Sequence, residues 1–102
     1  MKIKDVILLT DAVDDLNYGR GFYDRKALGV GDYFWDSLIA DIESLFIYGG
    51  MHSKKFSLYR MAAKRFPYAI YYEIYDDIAC VVAVLPMRRD PAWIENKLKG
   101  RS

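Results

Sequence analysis

The sequence predicts an α+β domain in which two N-terminal helices cover one face of a small, mostly antiparallel sheet, with a short helix at the C-terminal end. Apolar residues recur at helical spacing in the first half of the chain, up to the Gly49-Gly50 pair. Beyond it the pattern alternates, and eight consecutive apolar residues from Ile78 to Leu85 indicate a strand buried on both faces. The 102 residues, 53% of them hydrophobic, are enough for one domain with its own core.

The first half of the chain predicts one strand and two helices. The apolar run within Ile3–Leu9 indicates a short strand. A helix is expected to follow, with a cap at residue 10 or 11, with Asp14 and Asp15 in its first turn, and with its end near residue 28. Asp32 is expected to cap a second helix that ends at Gly49-Gly50. The acidic side chains thus have a structural explanation, and we assign them no catalytic role.

The second half of the chain predicts antiparallel strands and a last helix. Residues 55–66 indicate one long or two short strands, and Ala69–Tyr75 alternates so that even-numbered and odd-numbered side chains face opposite ways. The Asp76-Asp77 pair indicates a tight hairpin turn. Pro91 is expected to start a short helix that ends at Leu98, and the four residues after it are expected to fray.

Composition favours a cytoplasmic protein without a bound metal or cofactor. The one cysteine, Cys80, lies inside the apolar strand, so it has no internal disulfide partner and suits a reducing compartment. The sequence has neither a signal-peptide pattern nor an apolar stretch long enough to span a membrane. It also has no glycine-rich phosphate loop and no set of metal ligands. His52 is the only histidine, and we expect it on a surface loop.

Charge is divided unevenly between the two halves of the chain. Residues 1–50 carry 5 basic and 9 acidic side chains, whereas residues 51–102 carry 10 basic and 5 acidic ones. Basic side chains at strand ends can bind phosphates, and cations alone can stabilise the charge that develops when a 2′-hydroxyl attacks RNA. The alternative is a solvated sheet face with aromatic cross-strand pairs. The basic residues concerned are Lys54, Lys55, Arg60, Lys64, Arg65, Arg88 and Arg89.

Several short motifs occur along most of the chain. They are Asp15-Leu16, Phe22-Tyr23, Gly29-Val30-Gly31, Phe34, Arg60, Arg65-Phe66-Pro67-Tyr68, Ile70-Tyr71-Tyr72, Val81 to Leu85 and Arg88-Arg89-Asp90-Pro91. Together these residues resemble the RelE/ParE superfamily, the toxins of type II toxin–antitoxin modules. The resemblance implies a small sheet with two helices on one face. It also implies a bacterial cytoplasmic toxin, neutralised by an antitoxin that wraps its C-terminal segment over the sheet and helices.

The superfamily has two activities, and the resemblance bears on both. One branch cleaves mRNA in the ribosomal A site, and the other inhibits DNA gyrase without the nuclease residues. Arg60 and Arg89 match basic nuclease positions, which implies a catalytic role for them. Ala69, however, stands where the nuclease branch has a strand arginine, and Pro86 stands where relatives often have histidine. The side chains implied in RNA binding are Lys55, Lys64, Arg65 and Arg88.

Three functional hypotheses follow from these residues. The first is a toxin that arrests growth by ribosome-associated mRNA cleavage, as a metal-independent endoribonuclease. The second is a non-enzymatic inhibitor of DNA gyrase, which the alanine at position 69 favours. The third is an attenuated relative that only binds its antitoxin.

Overall fold

The computed structural model describes residues 2–101 and arranges them as a five-stranded sheet with helices on both faces. The elements are β1 (Asp5–Leu8), α1 (Thr10–Lys26), α2 (Val30–Glu43), α3 (Leu45–Tyr48), β2 (Lys54–Lys55), β3 (Leu58–Ala62), β4 (Tyr68–Tyr75), β5 (Ile78–Pro86) and α4 (Pro91–Leu98). The strand order is β1-β5-β4-β3-β2, with β1 parallel to β5 and the other pairs antiparallel. The predicted α+β fold is confirmed. None of the helices within residues 2–101 has the length and apolar character needed to cross a membrane.

The N-terminal helices begin and end differently from the prediction. The N-cap of α1 is Leu9, which offers no side-chain cap, and only Asp11 of its acidic residues lies in the first turn. The second helix begins at Val30, after Gly29, whose φ of 88° is the left-handed conformation that glycine adopts without strain. Asp32 therefore lies inside the first turn of α2, where its carboxylate pairs with Arg20 of α1.

Two glycines allow α1 and α2 to pack closely as an antiparallel pair. A Cβ atom on Gly19 would lie 2.5 Å from the ring of Phe34, and one on Gly31 would lie 2.4 Å from the carbonyl oxygen of Arg20. Asp24 adds a hydrogen bond, because its Oδ1 accepts from the backbone N–H of Gly31 at 2.8 Å. Larger residues at either glycine would force the helices apart.

Two hairpins built on non-glycine turns shape the second half of the chain. The predicted long strand is divided into β2 and β3 by Phe56 and Ser57, whose φ angles are 56° and 67°. The predicted Asp76-Asp77 turn is confirmed, with φ angles of 50° and 63°. Positive φ at both central residues is what a type I′ turn requires, and this turn type matches the twist of the flanking strands. Both hairpins therefore hold their strands in register at some local strain.

The sheet has a front face, which α1 and α2 cover, and a back face, which α4 covers in part. Buried Ile70 and Tyr72 belong to the front core with the two helices, whereas Tyr71 belongs to the back core with α4. The predicted alternation along β4 is thus confirmed. Opposite the step from Tyr71 to Tyr72, β5 contains one extra residue, Val82, which forms a β-bulge.

The last helix is fixed at both of its ends. The Oδ1 atom of Asp90 accepts a hydrogen bond from the backbone N–H of Trp93 at 2.8 Å, so Asp90 is an N-cap directly before Pro91. At the other end, Arg101 forms an ion pair with Asp15 of α1. The prediction of a frayed tail is wrong at Arg101, and residue 102 lies outside the described residues.

Candidate functional site

A groove of about 850 Å³ runs between α1, the end of β5 and α4, and we call it the α1–α4 groove. One wall is acidic and comes from the first turns of α1. The other wall is basic and comes from α4 and the residues before it. The acidic side chains are Asp11, Asp14 and Asp15; the basic ones are Arg88, Arg89 and Lys97; the aromatic ones between them include Tyr18, Phe22 and Trp93.

The groove exists because β1 is shorter than its neighbour β5. The parallel pairing ends with Leu8 opposite Val81, and the last backbone bond joins the N–H of Leu9 to the carbonyl of Val81 at 2.9 Å. Beyond that point β5 continues to Pro86 without a strand beside it on this edge. An unpaired strand edge presents backbone donors and acceptors that need other partners.

Side chains supply those partners. The N–H of Val84 donates to Oδ2 of Asp15 at 3.0 Å, and the carbonyl of Val82 accepts from Nη1 of Arg101 at 3.4 Å. The carboxylate and guanidinium also pair with each other, Nη1 to Oδ2 at 2.6 Å and Nη2 to Oδ1 at 3.1 Å. The hydrogen bond from Asp15 is the main cause that raises the pKa of Arg101, and Asp11 and Asp14 add to it. The predicted first-turn role of Asp15 is therefore wrong.

The basic wall is organised around one indole ring. The guanidinium carbon of Arg89 lies 4.1 Å from the centroid of the Trp93 ring, and Nζ of Lys97 lies 5.6 Å from the same centroid. These are cation–π distances, so the ring holds two exposed cations beside the groove. Arg88 lies near Tyr23, where burial raises the pKa of the phenol more than the positive charge of Arg88 lowers it.

Four of the six predicted site residues lie at one end of the sheet. Lys64 and Arg65 stand in the turn between β3 and β4, and Arg88 and Arg89 follow β5. The backbone N–H of Met87 donates to the carbonyl of Pro67 at 2.9 Å, which joins that turn to the end of β5. We call Lys64, Arg65, Arg88 and Arg89 the basic rim.

The other two predicted residues lie elsewhere. Arg60 is directly opposite Tyr71, so its side chain projects from the back face of the sheet, and it does not line the groove. Its Nε is buried without a hydrogen-bond partner, and the guanidinium forms no ion pair among residues 2–101. Lys55 lies on the edge strand β2, where its Nζ is 5.6 Å from the ring centroid of Phe56. Of the two predicted catalytic arginines, only Arg89 lines the groove.

Ala69 occupies a core position on the back face. It is fully buried in the cluster that contains Ile94 and Leu98 of α4. A long charged side chain has no space in this fully buried apolar cluster. Pro86, the other departure from the nuclease pattern, ends β5 and lines the groove.

His52 lies on the loop between α3 and β2, as predicted, and its half-buried side chain also contacts the sheet. Its Nδ1 lies 2.5 Å from the hydroxyl oxygen of Tyr72, which also accepts the backbone N–H of Gly50 at 3.0 Å. Burial lowers the pKa of His52 from its usual 6.5. The residue does not line the groove, so its contacts anchor the loop between α3 and β2 to the sheet.

Sequence reasoning missed the acidic and aromatic wall of the groove. A usable signal exists along α1, where Asp11, Asp14, Asp15, Tyr18 and Phe22 recur at spacings of three and four residues on one side of the helix. A stripe of this kind indicates a helix face that borders a partly exposed surface and not the core. Arg101 carries no such signal, because nothing local connects it to Asp15.

Comparison with known proteins identifies the fold. No protein-family model matches the chain, and no curated protein matches it. Among solved structures, a chain of the "Chromosomal ParDE TA system from P. aeruginosa" superposes with a TM-score of 0.75. The match covers 82% of this chain and 96% of that one, at 9% sequence identity. The chain therefore has a RelE/ParE-type fold. At this identity the likeness concerns the fold alone.

We predict that arginine at position 69 is incompatible with this packing. Ala69→Arg is expected to lower the free energy of unfolding by roughly 3 kcal/mol or more, because the guanidinium would enter a fully buried apolar cluster. Ala62→Arg is the matched control, since Ala62 is the exposed cross-strand partner of Ala69 and should lose about 0.5 kcal/mol or less. Urea unfolding followed by circular dichroism measures both, and equal losses would contradict the burial of position 69.

We also predict that His52 contributes to the pH dependence of stability. Its folded-state pKa is lowered, so the folded protein binds fewer protons than the unfolded chain as the pH falls below 6.5. Stability should be retained above that value and decline below it. His52→Gln should reduce the decline in unfolding free energy between about pH 7 and about pH 5, measured by urea unfolding. Ser53→Ala, at an exposed neighbour, should leave the decline unchanged, and an unchanged decline in His52→Gln would refute the assignment.

Proposed function

We propose that this protein is the toxin of a type II toxin–antitoxin module and that a partner antitoxin holds its growth-arresting activity in check. The observation that carries the proposal is the RelE/ParE-type fold, shared with a chain of the P. aeruginosa ParDE system. The motifs around Arg65-Phe66-Pro67-Tyr68 and Arg88-Arg89-Asp90-Pro91 support the same assignment by resemblance. Such a toxin acts in the bacterial cytoplasm, where its targets are.

The α1–α4 groove supports the antitoxin half of the proposal. A chain segment lying in it would meet carboxylates on one side and cations on the other, with aromatic rings between them. Tyrosine and tryptophan contribute large contact areas at protein interfaces. A polypeptide can carry both kinds of charge in the required order.

The first target that we propose is mRNA on the ribosome. The basic rim places four cations at one end of the sheet, and cations in such a cluster bind phosphates irrespective of base sequence. Trp93, beside Arg89, offers a ring for base stacking. In cleavage, Arg60 and Arg89 would stabilise the charge that develops as the 2′-hydroxyl attacks the adjacent phosphate. This chemistry needs no metal ion.

We predict that the double variant Arg60→Ala/Arg89→Ala abolishes both growth arrest and ribosome-dependent mRNA cleavage. Removing a group that stabilises transition-state charge lowers a rate by roughly 100-fold or more. Growth after induced expression and mapping of mRNA ends in translating extracts measure the two effects, with circular dichroism as the test of folding. Lys2→Ala/Lys4→Ala removes the same charge near the start of β5, at the other end of the sheet, and should stay toxic. Full cleavage by the arginine double variant would exclude the proposed catalytic role.

DNA gyrase is the second candidate target, and one observation favours it. The two predicted catalytic arginines do not share the groove, because Arg89 lines it and Arg60, on the back face of the sheet, does not. The position at which the nuclease branch has its strand arginine holds Ala69, which is fully buried in the back core. A toxin that acts by binding alone needs no such set.

Parallel assays with the purified protein distinguish the two targets. An mRNA-cleaving toxin is expected to stop a cell-free translation reaction and leave gyrase supercoiling unchanged, whereas a gyrase inhibitor gives the opposite pattern. Both assays, translation and supercoiling, are run with the purified protein at micromolar concentration. Inactivity in both assays, together with harmless expression, would instead support an attenuated relative that only binds its antitoxin.

A further inference from the structure

The acidic wall of the α1–α4 groove carries more negative charge than the one cation bound to it offsets. Asp11, Asp14 and Asp15 line this wall, and the guanidinium of Arg101 lies among them. Asp11 and Asp14 form no ion pair within the described part of the chain. The seated guanidinium shows which chemistry the site accepts, and the surplus carboxylates attract a further cation to it.

The geometry of the seat is specific for arginine. Both terminal nitrogens of Arg101 reach the two oxygens of Asp15, at 2.6 and 3.1 Å, and Nη1 also reaches the carbonyl of Val82. The Asp15 carboxylate is held in place from the other side by the N–H of Val84. A planar fork of donors can make these contacts together, whereas a lysine ammonium presents only a single point of charge.

The backbone of Arg101 makes few contacts with the rest of the chain. It follows Lys99 and Gly100, which are both exposed, and Gly100 has a φ of 77° with open space around its Cα. Its backbone N–H reaches the carbonyl of Leu98 at a long 3.3 Å. The side-chain contacts with Asp15 and Val82 therefore hold this residue in position, and a short turn with a glycine can let it swing away.

We propose that Asp15 and the free edge of β5 form an arginine-binding site, which Arg101 occupies in the unbound protein and which an arginine of a partner segment takes over. Arg101 then acts as an internal competitor for that site. The partner segment lies in the α1–α4 groove, with its arginine at Asp15 and its acidic side chains towards Arg88 and Arg89. The choice of the antitoxin as the owner of this segment rests on the proposed function; the binding site itself does not.

The variant Arg101→Ala of the full chain tests the site, with L-argininamide as the probe and L-lysinamide as its matched control. Argininamide should shift the Val84 amide resonance and raise the melting temperature of the variant, and lysinamide should do neither. The wild-type protein should respond roughly tenfold more weakly, because a tethered group competes at an effective concentration in the millimolar range. Adding Asp15→Asn to the variant should abolish the response.

A folded Arg101→Ala protein that ignores argininamide, or that binds lysinamide equally well, would overturn the proposal. If this variant does not fold, Arg101→Lys keeps the charge without the fork and should give the same response to argininamide. Failure of both variants to fold would show that Arg101 is an inseparable part of the structure, which also overturns the proposal. The measurement needs neither a target nor growth arrest, so its failure leaves the proposed toxin function standing.

Discussion

The carboxylate of Asp15 joins three parts of the chain, namely α1, β5 and the segment after α4. It accepts the N–H of Val84 in β5 and both terminal nitrogens of Arg101 beyond α4, while its own backbone belongs to α1. The ion pair of Asp15 and Arg101 is largely shielded from water. Loss of one partner would leave the other charge uncompensated and lower the free energy of unfolding by about 3 kcal/mol. Without the ion pair, the edge of β5 past Val81 would lack partners for its backbone groups. One side chain of α1 thus holds together the strand edge and the C-terminal segment that border the groove.

The β-bulge at Val82 lies where the groove begins. Here β1 stops, and β5 changes from an interior strand to one with a free edge. Val82 and the adjacent Ala83 both belong to the back core, as expected when an extra residue interrupts the alternation. After the bulge, Val84 returns to the front core, and its N–H points to Asp15. The bulge therefore allows one strand to complete the back core and to present its edge to α1.

Local pattern predicted the elements well and their long-range contacts poorly. Alternation along β4, the apolar run of β5 and the Asp76-Asp77 turn were all readable, because each depends on neighbouring residues. Asp15 was misassigned because its partners lie 69 and 86 residues away, a distance at which composition and spacing carry no information. The bond from His52 to Tyr72 was missed for the same reason. The members of the basic rim could be grouped from sequence because they flank adjacent strand ends, whereas Arg60 lies within β3, opposite Tyr71.

The charges of the groove favour different kinds of partner on its two walls. Asp11 and Asp14 would repel RNA phosphates, so the acidic wall of the groove suits a protein segment and not a nucleic acid. The basic wall of the groove overlaps with the basic rim, because Arg88 and Arg89 belong to both. A segment that fills the groove must therefore cover these two arginines. On the proposed function, a bound antitoxin segment would block the target directly, because it would cover two of the arginines that the target requires.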